Sequence, residues 1–288
     1  MSSRVEAAPL EIRPLLALME ASEKATIRLI KAQRDATLAP IEKEIERGMA
    51  TAFRVQGKAV LAAFEVLKGD FPAPRIEEAR SPEKLAYDVW DVTDEEAKAR
   101  IVGVIKRGHQ KAFTAAITGN QARFQAGFSF GLDDPRAVQF LENWGAKMVS
   151  AVNDETERIL KHIVTRGVEA GDSYDRVAKT IKSRFTEFAV GKPQHHIQSR
   201  AHLVAVTESA NAYGQGNYYY AREIEREGIH LEKKWDTSKD DLVSDGCQEN
   251  EDAGWIPIGD QFPSGDDCEP RFPGCRCAVI NRVSEIGD

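Results

Sequence analysis

The distribution of apolar residues over the first 228 positions has a helical period. Apolar residues recur there at three- and four-residue intervals, which lines one face of an amphipathic helix. Two such stretches open the chain, over residues 9–47 and residues 49–68. Pro40 should kink or break the first stretch, because a proline inside a helix removes one hydrogen bond and clashes with the preceding turn. The pattern therefore predicts a helical hairpin within residues 1–70 that buries its own seam, with a docking region for a partner as the alternative.

The clearest break in the first half of the chain lies at residues 69–74, where two prolines are separated by one residue. Prolines disfavour helix on both sides, so we expect a domain boundary there. Residues 75–228 are expected to form a helical body. Capping and spacing signals predict its helices at about 93–118, 133–170, 173–191 and 195–227, with an aromatic connection at 119–131.

After Gly228 the hydrophobic period changes from helical to alternating. Residues 229–235 alternate roughly in twos, which predicts a β-strand, and residues 275–283 are its expected antiparallel partner. The segment between them is rich in Gly, Pro and Asp, and all four cysteines of the protein lie after the first strand. The expected fold is therefore mainly α. It combines an elongated helical body of long amphipathic helices with a small C-terminal α+β knob, residues 229–288, that contains the cysteines.

Composition places the chain among soluble globular proteins on the polar side. Its 288 residues suffice for one large or two ordinary domains, and 42% of them are apolar and 30% charged. No apolar run approaches the about 20 residues that span a bilayer, and no secretory signal follows Met1. We therefore expect no membrane contact, and synthesis in the cytosol. The net charge of −7 argues against non-specific binding of duplex DNA by the whole surface, although a local basic patch stays open.

The cysteines are the first candidates for chemistry, and they are Cys247, Cys268, Cys275 and Cys277. Four thiolates can hold a structural zinc ion, which would stabilise a small knob with little core. Their spacing is not that of a zinc ribbon, and two disulfides with three alternative pairings are the rival. Such disulfides would form late, because the cytosol, where we expect synthesis, is reducing. Free thiols are the third alternative, and all three stay open at this stage.

Other groups of polar residues favour structural roles. Four aspartates crowd the loop after Trp235, and they are Asp236, Asp240, Asp241 and Asp245. The spacing of an EF-hand is absent, so we expect a solvated loop whose aspartates close turns, with Thr237 and Asp240 fixing it. Glu208 is expected to be a buried carboxylate that bonds to a donor in this loop.

Two further motifs are weak. The histidines His195, His196 and His202 lack a further partner at metal-ligand spacing, so a solvated helix start is favoured. The run Gly214-Gln215-Gly216 lies inside a helical pattern, without a preceding strand and without a third glycine, so it is not a dinucleotide-binding loop.

The knob also carries a spaced pattern of Trp, Asp and Cys residues. A Trp-x-Thr-Ser-x-Asp-Asp-x-Val run is followed by a cysteine and later by Pro-x-Cys-Arg-Cys; the positions are Trp235, Thr237, Asp240, Asp241, Val243, Cys247, Pro273, Cys275, Arg276 and Cys277. This pattern resembles the C-terminal part of the phage head-morphogenesis family, the Mu F-like minor head proteins. Upstream, Arg200-Ala201 with Thr207-Glu208, and the run from Val152 to Thr156, are similar to helices of that family. The resemblance covers about residues 135–283.

Three positions depart from the family pattern. Ser244 stands where the first cysteine of a Cys-x-x-Cys pair is expected, and Phe272 stands where a histidine is expected. Cys268 has no counterpart in the pattern. If the family arrangement binds a metal through these positions, this chain has lost two candidate ligands and gained one.

The resemblance implies a function that the residues alone do not give. It implies a structural minor head protein of a phage or prophage that acts in procapsid assembly, is associated with the portal, and takes part in genome packaging or delivery. The implied partners are portal protein and capsid or scaffold subunits, with contact to packaged DNA left open. The implied location is the host cytoplasm during assembly and then the virion.

The same resemblance implies no catalytic residue, no small-molecule substrate and no cofactor beyond a candidate structural zinc. The alternative function is a metal-dependent hydrolase or nuclease, or a toxin-like effector. Residues 1–134 contain no recognisable catalytic segment that would favour it.

Overall fold

The patterns of the sequence correspond to six helices and three strands in the residues that the structure describes. A computed structural model describes residues 12–66, 68, 94–125, 135–189 and 199–284. The helices are α1 (Ile12–Val66), α2 (Asp94–Phe124), α3 (Pro135–Glu169), α4 (Tyr174–Ala189), α5 (Arg200–Arg226) and α6 (Asp245–Asp252). The strands are β1 (Leu231–Asp236), β2 (Trp255–Pro257) and β3 (Ala278–Val283). The predicted fold class, mainly α with a small α+β knob that carries the cysteines, is confirmed.

The first helix, α1, is continuous over 55 residues, with Pro40 inside it. At 1.5 Å per residue it is about 80 Å long. The predicted hairpin is therefore wrong for residues 12–66. Pro40 faces solvent, whereas its neighbours Leu38 and Ile41 are buried in the core on the opposite side. Packing on both sides of the proline holds the helix together where the local sequence favours a break.

The helical body is built around α1, α2 and α5, which pack against one another. Helix α4 packs on α1, and α3 packs on α2 and α4. The largest side chains of this core are fully buried, among them Phe53, Phe113 and Tyr220. Gly216 lets α5 approach α2 closely, because a Cβ atom there would lie 2.9 Å from the carbonyl oxygen of Phe113. Small residues at the crossing thus bring the body helices together.

The later helices follow their predictions more closely than α2 does. Helices α3 and α4 begin and end within a few residues of the expected bounds, and α5 ends within one residue of its expected end. Ser199 caps α5 by accepting a hydrogen bond from the His202 backbone N–H. Helix α2 continues to Phe124, so the aromatic connection predicted from residue 119 starts too early. Phe124 packs on the core instead, which favours one more turn of helix. The expected boundary at residues 69–74 and the start of the helix predicted from residue 195 lie outside the described residues, and the division into three domains stays a prediction.

The sheet of the knob has the antiparallel order β2-β1-β3. Its central strand buries every second residue, namely Leu231, Lys233 and Trp235, which is the alternation expected of a half-buried strand. Trp235 is paired with Val279 of β3. The predicted pairing of the two strands on either side of the cysteine segment is confirmed.

Helix α6 and strand β2 were not predicted, and the segment that contains them was expected to be a loop. Helix α6 has no apolar stripe, since the only buried residues among its eight are Cys247 and Asn250. It starts because Ser244 caps it, with the Ser244 side chain accepting a hydrogen bond from the Cys247 backbone N–H. A helix set by its cap rather than by an apolar stripe carries no periodic signal in the sequence.

The N-terminal helix also contacts the knob. Ile27 of α1 is buried against Ala278 and Ile280 of β3, with Trp255 packed beside them. Lys31 donates a hydrogen bond to the carbonyl oxygen of Thr237 over 2.7 Å. One helix therefore spans from the body to the C-terminal sheet. None of the described helices has both the length and the hydropathy that crossing a membrane requires.

Candidate functional site

Three of the four cysteines meet in the knob, and we refer to Cys247, Cys275 and Cys277 as the thiol cluster. Their Sγ atoms all lie within 4.8 Å of one another, and all three residues are buried. Cys247 lies in the first turn of α6, and Cys277 directly precedes β3. Cys275 follows a turn in which its backbone N–H donates to the Phe272 carbonyl oxygen over 3.0 Å. The helix cap, this turn and the edge of the sheet converge on one point.

Trp235 covers the thiol cluster from the central strand. Its side chain is fully buried and makes an edge-to-face contact with Phe262, with ring centroids 5.1 Å apart. The indole Nε1–H has no hydrogen-bond acceptor among the described residues. It lies near the Cys277 thiol, where it opposes a rise in pKa that the neighbouring Cys275 and burial cause. A buried donor without an acceptor beside three sulfur atoms requires an explanation.

The three thiols differ in their tendency to ionise. The hydrogen bond from Cys277 lowers the pKa of the Cys275 thiol to about 6, assisted by the backbone N–H groups of Cys277 and Arg271 and opposed by burial. Burial raises the pKa of Cys247. Cys275 is therefore the thiol of the cluster that ionises most readily. Such a group can coordinate a soft metal ion or form a disulfide.

Cys268 lies apart from the thiol cluster. It is buried, its sulfur accepts a hydrogen bond from Gln215 Nε2 of α5 over 3.2 Å, and burial raises the pKa of its thiol. The structure thus assembles three of the four predicted metal-binding cysteines and leaves out the one without a counterpart in the family pattern. All four cysteines are free thiols in this structure.

Two of the three positions that depart from the family pattern lie beside the thiol cluster. Ser244 caps the helix that carries Cys247 and receives its backbone N–H over 3.3 Å. Phe272 packs against the apolar surroundings of Trp235 and the cluster. A cap and an apolar contact thus occupy the places where the family pattern has a cysteine and a histidine.

The acidic loop after Trp235 is held by turns and ion pairs. Asp240 accepts hydrogen bonds from the Leu242 backbone N–H and the Ser238 hydroxyl, each over 3.1 Å, and pairs with Arg276. Desolvation raises the pKa of Asp240, but these contacts together outweigh it and hold the pKa below its ordinary value. Thr237 is buried and donates to a carboxylate oxygen of Glu251 in α6 over 2.8 Å. These contacts hold the loop in one conformation.

The remaining positions of that loop and of the closing motif lie at the surface. Asp241 and Pro273 are exposed. Asp245 is exposed in the first turn of α6, where a carboxylate complements the helix dipole.

Thr207 joins the body to the turn that carries Cys275. Its hydroxyl donates to the Leu203 carbonyl oxygen over 2.7 Å and accepts the backbone N–H of Gly274 over 3.0 Å. The threonine therefore positions the Pro-Gly-Cys turn on α5. This contact links the two halves of the sequence pattern directly.

Arg200 and Glu208 hold helices of the body together. Arg200 donates to the Thr156 hydroxyl over 2.8 Å and to the Val152 carbonyl oxygen over 2.7 Å, and burial lowers its pKa to about 10. Glu208 is buried as expected, but it contacts His109 of α2 over 2.9 Å and not the predicted donor in the loop after Trp235. Both residues connect α5 to neighbouring helices.

The sequence patterns did not predict a buried ion pair between α1 and the knob. Arg34 of α1 is 6% exposed, and its Nε donates to Glu269 Oε1 over 3.1 Å. The other carboxylate oxygen of Glu269 accepts the backbone N–H of Val279 over 3.1 Å. Arg34 falls on the apolar stripe of α1 between Ile27 and Leu38, and this charged residue at a core position was the available signal.

A second missed feature is a buried group of asparagines between α2, α5 and β3. The Asn217 side-chain oxygen accepts hydrogen bonds from Asn120 over 2.8 Å and from Asn281 over 3.0 Å. Its amide nitrogen donates to the Val279 carbonyl oxygen over 3.0 Å. The three asparagines are spread over 162 sequence positions, so no local sequence motif predicts that they meet.

The weak motifs do not form sites of their own. His202 is half-buried near the start of α5, and His195 and His196 lie outside the described residues. Gly214 and Gly216 lie within α5, as expected, where both permit close packing.

Residues 158–280 of the chain match a family model described as phage Mu protein F like protein. The match begins inside α3 and runs through α4, α5 and the knob into β3. It confirms the resemblance carried by the Trp, Asp and Cys pattern. Neither a curated protein nor a solved structure matches the chain. Helices α1 and α2, which complete the core around this segment, lie outside the match.

Proposed function

We propose that this chain, whose residues 158–280 belong to the phage Mu protein F like family, is a structural minor head protein that associates with the portal and assists genome packaging or delivery. The family supports a structural role in phage head morphogenesis and a place in the virion, with capsid-related partners. Association with the portal and a role in packaging are the further steps of the proposal.

The observation that carries the proposal is that the residues of the family pattern make structural contacts. Thr207 holds the Gly274 turn, Thr237 holds α6 through Glu251, and Asp240 pairs with Arg276. Each of these contacts fixes one part of the knob to another or to the body. Residues committed to holding a unit in shape suit a component that must keep its surface during assembly.

The knob is also fixed to the N-terminal helix. The Arg34–Glu269 ion pair and the Lys31 hydrogen bond to Thr237 join α1 to the knob. Helices α1, α2 and α5 therefore form one body with the sheet, and their outer faces are available to portal, capsid or scaffold subunits. On this proposal the chain catalyses no reaction, takes no small-molecule substrate and assembles in the host cytoplasm before it enters the virion.

Any contact with packaged DNA would be local. The formal net charge of −7 opposes sequence-independent binding by the whole surface, because such binding requires cationic side chains that neutralise phosphates. The proposal therefore assigns assembly to protein contacts, with DNA contact as a secondary property.

The test is co-expression of the tagged chain with the portal and major capsid proteins of its own phage, followed by purification of the heads. We expect the chain in heads that contain the portal, at few copies per head, and its absence from heads assembled without portal. Deletion of the chain should reduce the number of DNA-filled heads. A chain absent from portal-containing heads, whose deletion leaves DNA packaging unchanged, would overturn the proposal.

The same preparation also tests the alternative that the chain is a metal-dependent nuclease. The purified chain is incubated with plasmid and linear DNA in the presence of Mg²⁺ or Mn²⁺. We expect no cleavage above the level of a mock preparation from cells that do not express the chain. Cleavage that requires the metal and survives further purification would support the hydrolase alternative instead.

A further inference from the structure

We infer that Cys247, Cys275 and Cys277 form a binding site for one thiophilic divalent ion of the zinc class, with Trp235 as a hydrogen-bond donor to a bound thiolate. Neither the family match nor the proposed function assigns such a site. The inference rests on the geometry of the thiol cluster and on the buried indole beside it, and it stands whether or not the chain binds the portal.

The distances within the thiol cluster suit a tetrahedral ion. At a zinc–sulfur bond length of about 2.3 Å, two sulfur ligands of a tetrahedral site lie about 3.8 Å apart. The Sγ atoms of Cys247 and Cys275 are 4.0 Å apart, and all three Sγ atoms lie within 4.8 Å of one another. Shifts of less than about 1 Å therefore bring all three to ligand distance.

A disulfide fits the thiol cluster less well. It needs two sulfur atoms at about 2.05 Å, so one pair would have to close by about 2 Å and the third thiol would stay buried beside the bond. A metal ion uses all three sulfur atoms at once. Cys268, which is held by Gln215, is not required.

The second, independent observation is the indole N–H of Trp235. The side chain is fully buried, and its Nε1 has no acceptor among the described residues. A buried donor without an acceptor is costly, and proteins rarely retain one. A metal-bound thiolate keeps lone pairs that accept N–H groups. Ion binding would therefore satisfy Trp235 and hold the sulfur ligand in orientation, as outer contacts of metal sites do.

The residues around the thiol cluster stabilise the negative charge of such a site. Three thiolates and one divalent ion carry a net charge of −1. Cys247 lies in the first turn of α6, where the helix dipole favours negative charge. The Arg271 guanidinium packs on the same turn, since a Cβ atom at Gly246 would lie 2.6 Å from Arg271 Cζ. Both features oppose the electrostatic cost of gathering three sulfur anions.

The fourth ligand of the ion is water. Cys275 lines a cavity of about 360 Å³ between α1, α5 and the loop after β1, and a water ligand would enter from that side. Ser244 is a protein position close enough for a further ligand, because it caps the helix of Cys247 and its hydroxyl contacts that residue. A cysteine at position 244 would supply a fourth thiolate.

The test begins with metal content. The full chain is purified under reducing conditions without chelator, its zinc is quantified by mass spectrometry, and the ion is exchanged for Co²⁺. We expect about one zinc per chain, and for the cobalt form the visible bands of a tetrahedral ion with sulfur-to-cobalt charge transfer. Cys275→Ser should abolish the metal, and Cys268→Ser is the matched control that should retain it.

Two variants test the arrangement without removing a ligand. Ser244→Cys should raise the charge-transfer intensity of the cobalt form, because it adds a sulfur ligand. Trp235→Phe should weaken zinc binding about 10-fold in a chelator competition, as the loss of an outer hydrogen bond typically does. Circular dichroism confirms that each variant is folded before it is compared.

Three results would overturn the inference. They are wild-type protein that neither contains zinc nor develops cobalt charge transfer, equal loss of metal in Cys268→Ser and Cys275→Ser, and a disulfide within the thiol cluster in freshly purified, unreduced protein. Co-purification with the portal is scored separately, so failure of the metal site leaves the proposed function intact.

Discussion

Arg34 and Glu269 lie 235 positions apart in the sequence, and they meet as a buried ion pair whose Nε–Oε1 distance is 3.1 Å. The arginine comes from the longest helix, and the glutamate comes from the loop that leads towards the cysteine turn. Removing one member of a buried pair leaves the other charge without compensation, which typically costs about 3–5 kcal/mol. Breaking this connection between α1 and the knob by replacing Arg34 alone is therefore expected to be costly.

The first expectation concerns this pair. Arg34→Met should lower the free energy of unfolding by about 3 kcal/mol, because Glu269 loses its buried partner. The double variant Arg34→Met with Glu269→Gln should be more stable than the sum of the two single losses predicts. Urea unfolding measures all three variants. Lys111→Gln, which breaks an exposed ion pair with Glu44, is the control that should change stability little. Additive losses would contradict direct coupling of the pair.

The second expectation concerns pH. Burial raises the pKa of Glu269 above 4.5, although Arg34 and backbone N–H groups oppose the rise. The folded chain therefore binds more protons at this group than the unfolded chain does, and its contribution to stability falls as the pH rises from about 4.5 through the folded-state pKa. Urea unfolding between pH 4 and pH 7 should show that wild type loses stability relative to Glu269→Gln. A difference that is constant with pH would show that Glu269 does not titrate in this range.

The third expectation concerns a close approach between α5 and the knob. A Cβ atom at Gly214 would lie 2.3 Å from the Glu269 carbonyl oxygen, which cannot be relieved by a side-chain movement. Gly214→Ala should therefore destabilise the chain by about 2 kcal/mol or more, in the range typical of overpacking.

Gly119 provides the matched control for Gly214. It also lies within a helix, but its nearest neighbour would be 3.8 Å from an added Cβ atom. Gly119→Ala should therefore be neutral or stabilise by up to about 1 kcal/mol, since alanine favours helix. Thermal unfolding compares the two variants, and equal effects would contradict the steric explanation.

The fourth expectation concerns the link between Thr207 and the cysteine turn. Thr207→Val keeps the shape of the side chain but removes the acceptor for the Gly274 N–H, so it should cost about 1–2 kcal/mol. Thr207→Ser retains the hydroxyl and should cost less. Hydrogen exchange at the Gly274 amide should accelerate in Thr207→Val and stay near wild type in Thr207→Ser. Unchanged exchange in both variants would show that the turn is held by other contacts.

Local periodicity was sufficient to predict most of the helices and the main strand pair. Helices α3 to α5 have apolar stripes that end at caps or glycines, and β1 alternates in twos. Their signals lie within windows of 10 to 20 residues, where the side-chain period decides the structure. The family pattern added the knob positions, because spaced Trp, Asp and Cys residues identify a unit that no single window contains.

The remaining features depend on contacts between distant residues. Pro40 predicts a break, yet the packing of Leu38 and Ile41 on other helices keeps α1 continuous. The grouping of three cysteines without Cys268 depends on where α6 and the last turn place their thiols, and α6 itself has no periodic signal. The sequence identifies four candidate cysteines, but only the tertiary arrangement shows which three of them lie together.

The length of α1 has a consequence for synthesis of the chain. A ribosome completes this helix early, but its partners Glu269 and Ile280 emerge more than 200 residues later. Until β3 has been translated, the stripe from Ile27 to Arg34 lacks its cover. A nascent chain thus exposes this apolar helix face, with Arg34 still lacking its buried partner Glu269, until the knob has been translated.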